Sequence, residues 1–345
     1  CTPGFVMSLW SAYPDGPATE ATWRLEEAPM PEPGPRQVLV RTRWLSLDPY
    51  MRGRISPAAN YTAGVKPGEA MHGGGVGEVI ESRHPDWKPG DLIEAMTLGW
   101  REHAVLTPDL PGADRANRVD PGLAPPQAML SWLGMPGLTA WIGLTEMGRP
   151  RPGDTVLVSA ASGAVGQLVC QIAVAMGARA VAIAGSPEKL AHCRALGCAA
   201  GIDHRATTDM AAAIAEACPN GVDVFFDNTG GPIHDAAIAN LATHARVVIC
   251  GRIAVIDKAP EADIGLRASA RLIVTRASIH GLVVFDWWHR REEAMARLAA
   301  LHRDGRLQFR EDVLEGFERV PEAYVRMMAG RNLGKQLVRL RDGSL

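Results

Sequence analysis

The run Ala161-Ser162-Gly163-Ala164-Val165-Gly166 carries the most chemical information in the chain. It follows the apolar stretch Thr155 to Ala160 and opens a helix-like stretch, Ala164 to Met176, that Gly177 closes. A glycine at 163 lets an anion approach bare backbone, and one at 166 lets a helix lie close on a strand. The N-terminus of such a helix offers unpaired N–H groups and the positive end of a dipole. The spacing is the A-x-G-x-x-G form of the dinucleotide fingerprint, with alanine at the first glycine position. Gly163, Ala164, Val165 and Gly166 are therefore expected to hold a pyrophosphate.

The next apolar stretch, Arg179 to Ala184, ends in Gly185-Ser186. An Asp or Glu at this strand end would hold the ribose hydroxyls of NAD and repel a 2′-phosphate. Here the acid is missing, Lys189 follows one helical turn on, and Arg205 follows the next short strand. Cations and a hydroxyl in place of an acid favour NADP(H), with Gly185 and Lys189 at its 2′-phosphate.

Other constellations carry less. Ser162 lies in S-G-A-V-G, but a nucleophile elbow needs glycine two residues to each side of the serine, where this chain has Ala160 and Ala164. The six cysteines form no C-x-x-C pair, so neither a disulfide framework nor a tetrathiolate metal lobe is expected. His103 and His280 have no companion at a ligand spacing. Trp287-Trp288 precede His289-Arg290-Arg291, whose charge Glu292 and Glu293 balance. That segment reads as domain-edge packing near a subunit contact.

The elements that must position these residues follow from pattern and composition. The chain has 345 residues, 47 % of them apolar and 21 % charged, with a net charge of −2. Two globular domains are expected, and no general affinity for nucleic acid. Residues 121–145 and 155–178 carry no charge, but prolines interrupt the first, and the second reads as strand, turn and helix. No membrane segment is expected, and the cysteine usage suits a reducing cytoplasm. The first third is rich in Pro and Gly, with short strands at 37–45, from 73 to 80 and at 92–95. From about Gln127, strands at 155–160, 179–184, 222–227 and 246–250 alternate with helices, as in a parallel sheet covered on both faces. Residues 320–328 read as a helix and 335–340 as a strand.

Several stretches together resemble the zinc-free branch of the medium-chain dehydrogenase/reductase superfamily that holds the NADPH-dependent prostaglandin, alkenal (double-bond) and curcumin reductases. They are Leu45-Ser46-Leu47-Asp48-Pro49-Tyr50-Met51-Arg52-Gly53-Arg54, Gly134-Met135-Pro136-Gly137-Leu138-Thr139-Ala140 and Ala160 to Gly166. Phe226-Asp227-Asn228-Thr229-Gly230-Gly231 and Asn332-Leu333-Gly334-Lys335 complete the set. Order and spacing agree along nearly the whole chain. The resemblance implies that Asn228, Cys250-Gly251-Arg252, Leu282-Val283-Val284 and Asn332 line the path from adenosine to nicotinamide. It further implies that Met135 and Thr139 lie near the nicotinamide and Tyr50 near the mouth of a cleft.

Three positions depart from the family pattern. His204 stands where a tyrosine often helps bind the 2′-phosphate, and its ring can still donate a hydrogen bond. Ile256-Asp257 replaces a frequent Tyr-Asn pair, which removes a phenol from the substrate's surroundings. Leu282 replaces a frequent phenylalanine. At the zinc position of other members Ser46 replaces cysteine, and His72 falls one residue from the expected histidine with no Glu after it, so no metal is expected.

The expected fold is a GroES-like, partly open β-barrel domain over 1–126, a Rossmann doubly wound parallel-sheet domain over 127–308 and a return to the first domain over 309–345. The expected activity is NADPH-dependent reduction of a carbon–carbon double bond in a small α,β-unsaturated carbonyl substrate, by a homodimer without zinc, with Tyr50 as the candidate catalytic residue. An NADPH quinone reductase and a non-catalytic NADPH-binding sensor are the alternatives.

Overall fold

A computed structural model describes residues 4–10, 13–57, 61 and 63–341. The chain divides into two compact units, residues 1–131 with 311–345, and residues 132–310. The divisions thus fall at Ser131/Trp132 and Arg310/Glu311, not at 126/127 and 308/309. The cause is local: Pro126–Leu130 forms a 3-10 turn that packs on the strands of the first unit and so stays with it.

The first unit is built on a seven-stranded sheet. Its path runs Glu311–Glu315, Lys335–Arg339, Val38–Ser46, Gly75–Ser82, Leu92–Ala95 and Asn117–Arg118, and His103–Leu106 also pairs with Val38–Ser46. All pairings are antiparallel except Glu311–Glu315 with Lys335–Arg339. Gly75 and Gly77 make the sheet possible where it is tightest, because a Cβ at Gly77 would meet the Arg41 carbonyl oxygen at 2.6 Å. The helix Val320–Met328 puts Tyr324 into a core with Trp23 and Trp100. The return of the tail is therefore part of this unit's core.

The second unit holds six parallel strands in the order Ala200–Asp203, Arg179–Ala184, Thr155–Val158, Val222–Asp227, Leu241–Ile249, Ser278–Gly281. In chain order this is 3-2-1-4-5-6, the doubly wound arrangement. Thr155–Val158 at its centre is buried along its whole length, and Arg179–Ala184 beside it is buried from Ala180 onward, as a sheet covered on both faces requires. The expected α/β fold, an antiparallel β domain and a Rossmann domain, is the one observed.

One strand begins earlier than its pattern suggests. Leu241–Ile249 starts five residues before Arg246, with a register break opposite Val222/Val224 and His244 in the left-handed region at φ 61°. The polar residues at 243 and 244 mark an irregularity inside the strand, which periodicity reads as a break.

Candidate dinucleotide site and Tyr50 cluster

The strand order reverses between Thr155–Val158 and Val222–Asp227, and ligands of doubly wound sheets bind at the carboxyl ends of strands beside such a reversal. The turn after Val158 is tight. Ala160 adopts φ 48°, Gly163 N–H donates to its carbonyl at 2.9 Å, and Ala161 N–H donates to the Ile183 carbonyl at 3.0 Å. The left-handed backbone thus falls on Ala160, one residue before the position where the fingerprint has its first glycine. The two glycines of the motif do different work. A Cβ at Gly166 would lie 2.3 Å from the Ala160 oxygen and 2.8 Å from the Ala161 Cα, so only glycine fits. A Cβ at Gly163 would meet only that oxygen, at 3.2 Å, which leaves its outer face open. The helix Gly166–Ala175 follows, its first turn tied to the motif by Gln167 N–H to the Gly163 carbonyl at 3.1 Å and by Leu168 and Val169 N–H to the Val165 carbonyl at 3.0 Å each, so the positive end of its dipole stands at Gly163 to Val165. Bare backbone at 163 over a helix N-terminus fits a pyrophosphate.

The end of the second strand collects positive charge. Ser186 caps the helix Pro187–Ala195 by accepting the Lys189 N–H at 3.3 Å. A Cβ at Gly185 would sit 2.8 Å from His204 Nε2 and 3.2 Å from Arg205 Nε, so these side chains converge over Gly185. Burial, with Arg205 and Lys189 nearby, holds the His204 imidazole below its usual proton affinity, while Asp203 opposes the shift. Glycine is the residue that leaves this room. Lys189, His204 and Arg205 together suit a phosphate monoester.

At the reversal itself the organiser is Asp227, which is fully buried. Its Oδ1 accepts the N–H groups of Thr229 and Gly230 at 2.9 Å each and the Ser159 hydroxyl at 3.1 Å. Its Oδ2 takes His234 Nδ1 at 2.8 Å, and its carbonyl accepts the N–H groups of Cys250 and Gly251. Asn228 Nδ2 donates to the Ser159 carbonyl at 2.8 Å, which ties the two central strand ends together. Gly251 lies against Asn228, where a Cβ would be 3.0 Å from its carbonyl oxygen. Arg252 pairs with Asp263 at 2.7 Å. The Cys250 thiol is pushed up to about 12 by burial and by Asp227, so it stays a thiol.

Met135 and Thr139 share the helix Met135–Ile142, where the Thr139 hydroxyl donates to the Met135 carbonyl at 2.7 Å. The chain after this helix beds on Phe226 and Leu282, because a Cβ at Gly143 would lie 2.5 Å and 3.1 Å from their side chains. Leu282 N–H donates to the Ile249 carbonyl, and Val283 and Val284 lead into the 3-10 segment Val284–Arg290, which packs on the same helix. Asn228, Cys250 and Leu282 therefore stand at the ends of adjacent parallel strands. Asp227, Ser159 and His234 were not among the expected site residues; a carboxylate at the end of an apolar strand, before N-T-G-G, was the available signal.

Tyr50 and Asn332 belong to the other unit. Asn332 Nδ2 donates to the Gly334 carbonyl at 2.8 Å. Tyr50 opens the short helix Met51–Arg54, with the His72 ring edge-on at 6.3 Å and the Arg54 guanidinium 5.7 Å from its ring centre. Burial, then Asp48, raises the phenol far above its ordinary range, so it remains a proton donor at neutral pH. The turn that carries Tyr50 is fixed by a buried ion pair, with Lys335 Nζ 2.5 Å from Asp48 Oδ1 and 2.7 Å from the Leu47 carbonyl.

Ser46 donates to the other Asp48 oxygen at 2.5 Å, so the position where related enzymes carry a zinc cysteine is occupied by a hydroxyl in a closed network. Among the described residues no group of three His, Cys, Asp or Glu side chains could hold a metal ion. These residues do not fit a zinc site.

Comparison with known proteins agrees with this architecture. Residues 8–111 match the family model for the N-terminal domain of oxidoreductase, and residues 164–300 match that for zinc-binding dehydrogenase. The chain is 36 % identical to the NADPH-dependent curcumin reductase of Escherichia coli over 96 % of its length and 95 % of the relative's. It is 36 % identical to the 2-alkenal reductase (NADP(+)-dependent) of Nicotiana tabacum, over 88 % of each chain. The crystal structure of CurA from Vibrio vulnificus in complex with NADPH superposes with a TM-score of 0.91 at 33 % identity, covering 98 % of this chain and 100 % of that one. The chain belongs to the medium-chain dehydrogenase/reductase superfamily, in the branch that holds the curcumin and 2-alkenal reductases.

Proposed function

We propose that the protein reduces carbon–carbon double bonds conjugated to a carbonyl, with NADPH as the reductant. The observation that carries this reading is the cationic strand end at Gly185, where Lys189, His204 and Arg205 replace the acid of an NAD site. NADPH-dependent relatives that act on alkenals and curcumin support it. NADPH supplies the hydride when bound. Gly163 to Gly166 hold its pyrophosphate and Lys189 its 2′-phosphate. The Asp227 network fixes the loops 228–231 and 250–252, and with Met135, Thr139, Leu282 to Val284 and Asn332 these residues orient the nicotinamide.

Hydride arrives at the β-carbon of the substrate, and negative charge develops on its carbonyl oxygen. A hydrogen-bond donor at that oxygen lowers the barrier, and the neutral phenol of Tyr50 is the donor this chain offers. Water protonates the α-carbon. Orientation and exclusion of bulk water are the rest of the protein's share.

The enzyme works as a homodimer in the cytoplasm. In support, the strand Ser278–Gly281 ends the parallel sheet, and Ile273 and Val274 in the helix Ser269–Thr275 that precedes it are 77 % and 63 % exposed in the single chain. Light scattering tests the dimer. NADPH oxidation against short alkenals, aryl enones and quinones tests the activity: turnover of enones well above quinones supports the reading, and NADPH binding without turnover of any of them overturns it.

A further inference from the structure

Two cations in the first unit, Arg54 and Arg101, form no ion pair within 4 Å among the described residues, although the more distant charge of Glu69 acts on Arg101. The Arg54 side chain donates to the Ala63 carbonyl at 2.8 Å, while its Nε is buried without a hydrogen-bond partner among the described residues. Among the described residues the Arg101 side chain donates to the Leu98 carbonyl, at 3.4 Å. It is brought beside His72 because the chain from Gly99 to Arg101 pairs with that from Met71 to Gly73, through Gly99 N–H to the Gly73 carbonyl and Trp100 N–H to the Met71 carbonyl, both at 2.8 Å.

The charges of both act on His72, whose Nδ1 is buried without a hydrogen-bond partner among the described residues and whose ring packs edge-on against Tyr50. Burial first, then Arg54 and Arg101, lowers its proton affinity to about 4, so the ring is neutral at pH 7 and adds no third charge. The carboxylates around the cluster do not neutralise it. Asp48 is taken by Lys335 and Ser46, Glu69 raises Arg101 only partly against its burial and is itself exposed, and Asp114 acts on Tyr50 only from a distance. A partly buried guanidinium without a carboxylate is costly, and its best complement is a bidentate oxyanion.

Resting on the reductase reading above, the geometry points to Arg54 and Arg101 as an anion subsite beside Tyr50 that selects enones carrying a carboxylate. The phosphates of the cofactor are not the occupant, since Gly163 to Gly166 and the Lys189 cluster in the other unit provide for them. A small aromatic-flanked pair of cations suits a single carboxylate on a short chain.

The test compares an enone carboxylic acid with its methyl ester as substrates for the full chain with NADPH. The acid is expected to show a kcat/KM at least about tenfold higher, mainly through KM, and the preference should shrink as KCl is added. Arg101→Gln should bring the acid-to-ester ratio toward one and Arg101→Lys should recover part of it. A general loss of activity moves both substrates and leaves the ratio. As a readout free of turnover, calorimetry with hexanoate and hexanamide is run on the NADP(+)-loaded enzyme, and hexanoate should bind more tightly. Equal turnover of acid and ester, with hexanoate no better than hexanamide, overturns the subsite and leaves the reductase reading standing. Preferential hexanoate binding without turnover of either enone overturns the reductase reading and keeps the subsite.

Discussion

The imidazole of His234 and the carboxylate of Asp227 form an ion pair of 2.8 Å at the carboxyl end of the strand Val222–Asp227. Burial alone would raise the Asp227 carboxyl, but the bonds from His234, Gly230 and Thr229 hold it below its usual range. The hydrogen bond to Asp227 in turn raises His234 against its own burial. The signs then set a window. The contribution of Asp227 is present above the ordinary carboxylate value, ~3.9, and is lost as pH falls through the depressed value. That of His234 is fully present below the ordinary imidazole value, ~6.5, and is lost as pH rises through the raised value. His234→Ala should cost about 1.5–3 kcal/mol, at the lower end because its side chain is 23 % exposed. Thermal melts across pH should show the deficit largest at about pH 5–6 and shrinking on the alkaline side. His234→Asn, which keeps an N–H within reach, should recover part. A deficit independent of pH would mean packing, not the ion pair.

The two glycines of the fingerprint should separate folding from binding. Gly166→Ala places a methyl 2.3 Å from the Ala160 oxygen, so backbone must move. A loss of about 1–3 kcal/mol in stability is expected. Gly163→Ala meets its nearest atom at 3.2 Å and should fold with a melting temperature near wild type. Its methyl would instead stand where the pyrophosphate approaches, and NADPH affinity should fall. Calorimetric binding beside thermal melts checks both; equal thermal losses for the two variants would contradict the division of labour.

What the sequence made legible was what repeats or is excluded. Apolar runs bounded by turn residues placed Thr155–Val158, Arg179–Ala184 and Val222–Asp227, and the missing acid at Gly185 pointed to the cationic strand end. What stayed hidden depends on contacts between distant residues. Asp227 reads as the polar end of a strand, and only the fold brings Ser159 and His234 to it. Lys335 lies 287 residues from Asp48, so no spacing rule links the two, although both lie in stretches that carried the family resemblance. The left-handed Ala160 was equally invisible, because alanine carries no signal for that conformation.

Cofactor preference rests on Lys189. Lys189→Ala removes one charge near His204 and Arg205 and leaves the nicotinamide half of the site untouched. The expected result is a rise of about ten- to a hundredfold in KM for NADPH, equivalent to ~1.5–3 kcal/mol, with little change for NADH. Steady-state kinetics with both cofactors decides it, and equal losses with both would remove Lys189 from the 2′-phosphate.

The Ser46–Asp48–Lys335 network places a hydrogen-bonded hydroxyl at the position of the zinc cysteine, and activity without a metal is expected. Dialysis against a strong chelator should leave rate and melting temperature unchanged. Stoichiometric zinc in the purified protein, lost together with activity, would contradict this.

The last prediction concerns Tyr50 and Ile256. Ile256 cannot donate a hydrogen bond, and it stands where relatives of this branch often have a phenol. Tyr50 is kept neutral by its surroundings and can donate. Tyr50→Phe keeps the ring and its contacts with His72 and Arg54 but removes the hydroxyl. If that hydroxyl meets the developing oxyanion, kcat and kcat/KM fall together, by roughly 1–3 kcal/mol of barrier, with the melting temperature near wild type. If Tyr50 only packs, both constants stay where they were. Ile256→Tyr tests the complementary position. It should raise activity on small enones in the Tyr50→Phe background more than in wild type, because two donors at one oxygen are partly redundant. A silent Tyr50→Phe together with a silent Ile256→Tyr would mean that no protein phenol is needed, and would move oxyanion stabilisation to the ribose 2′-hydroxyl of the cofactor.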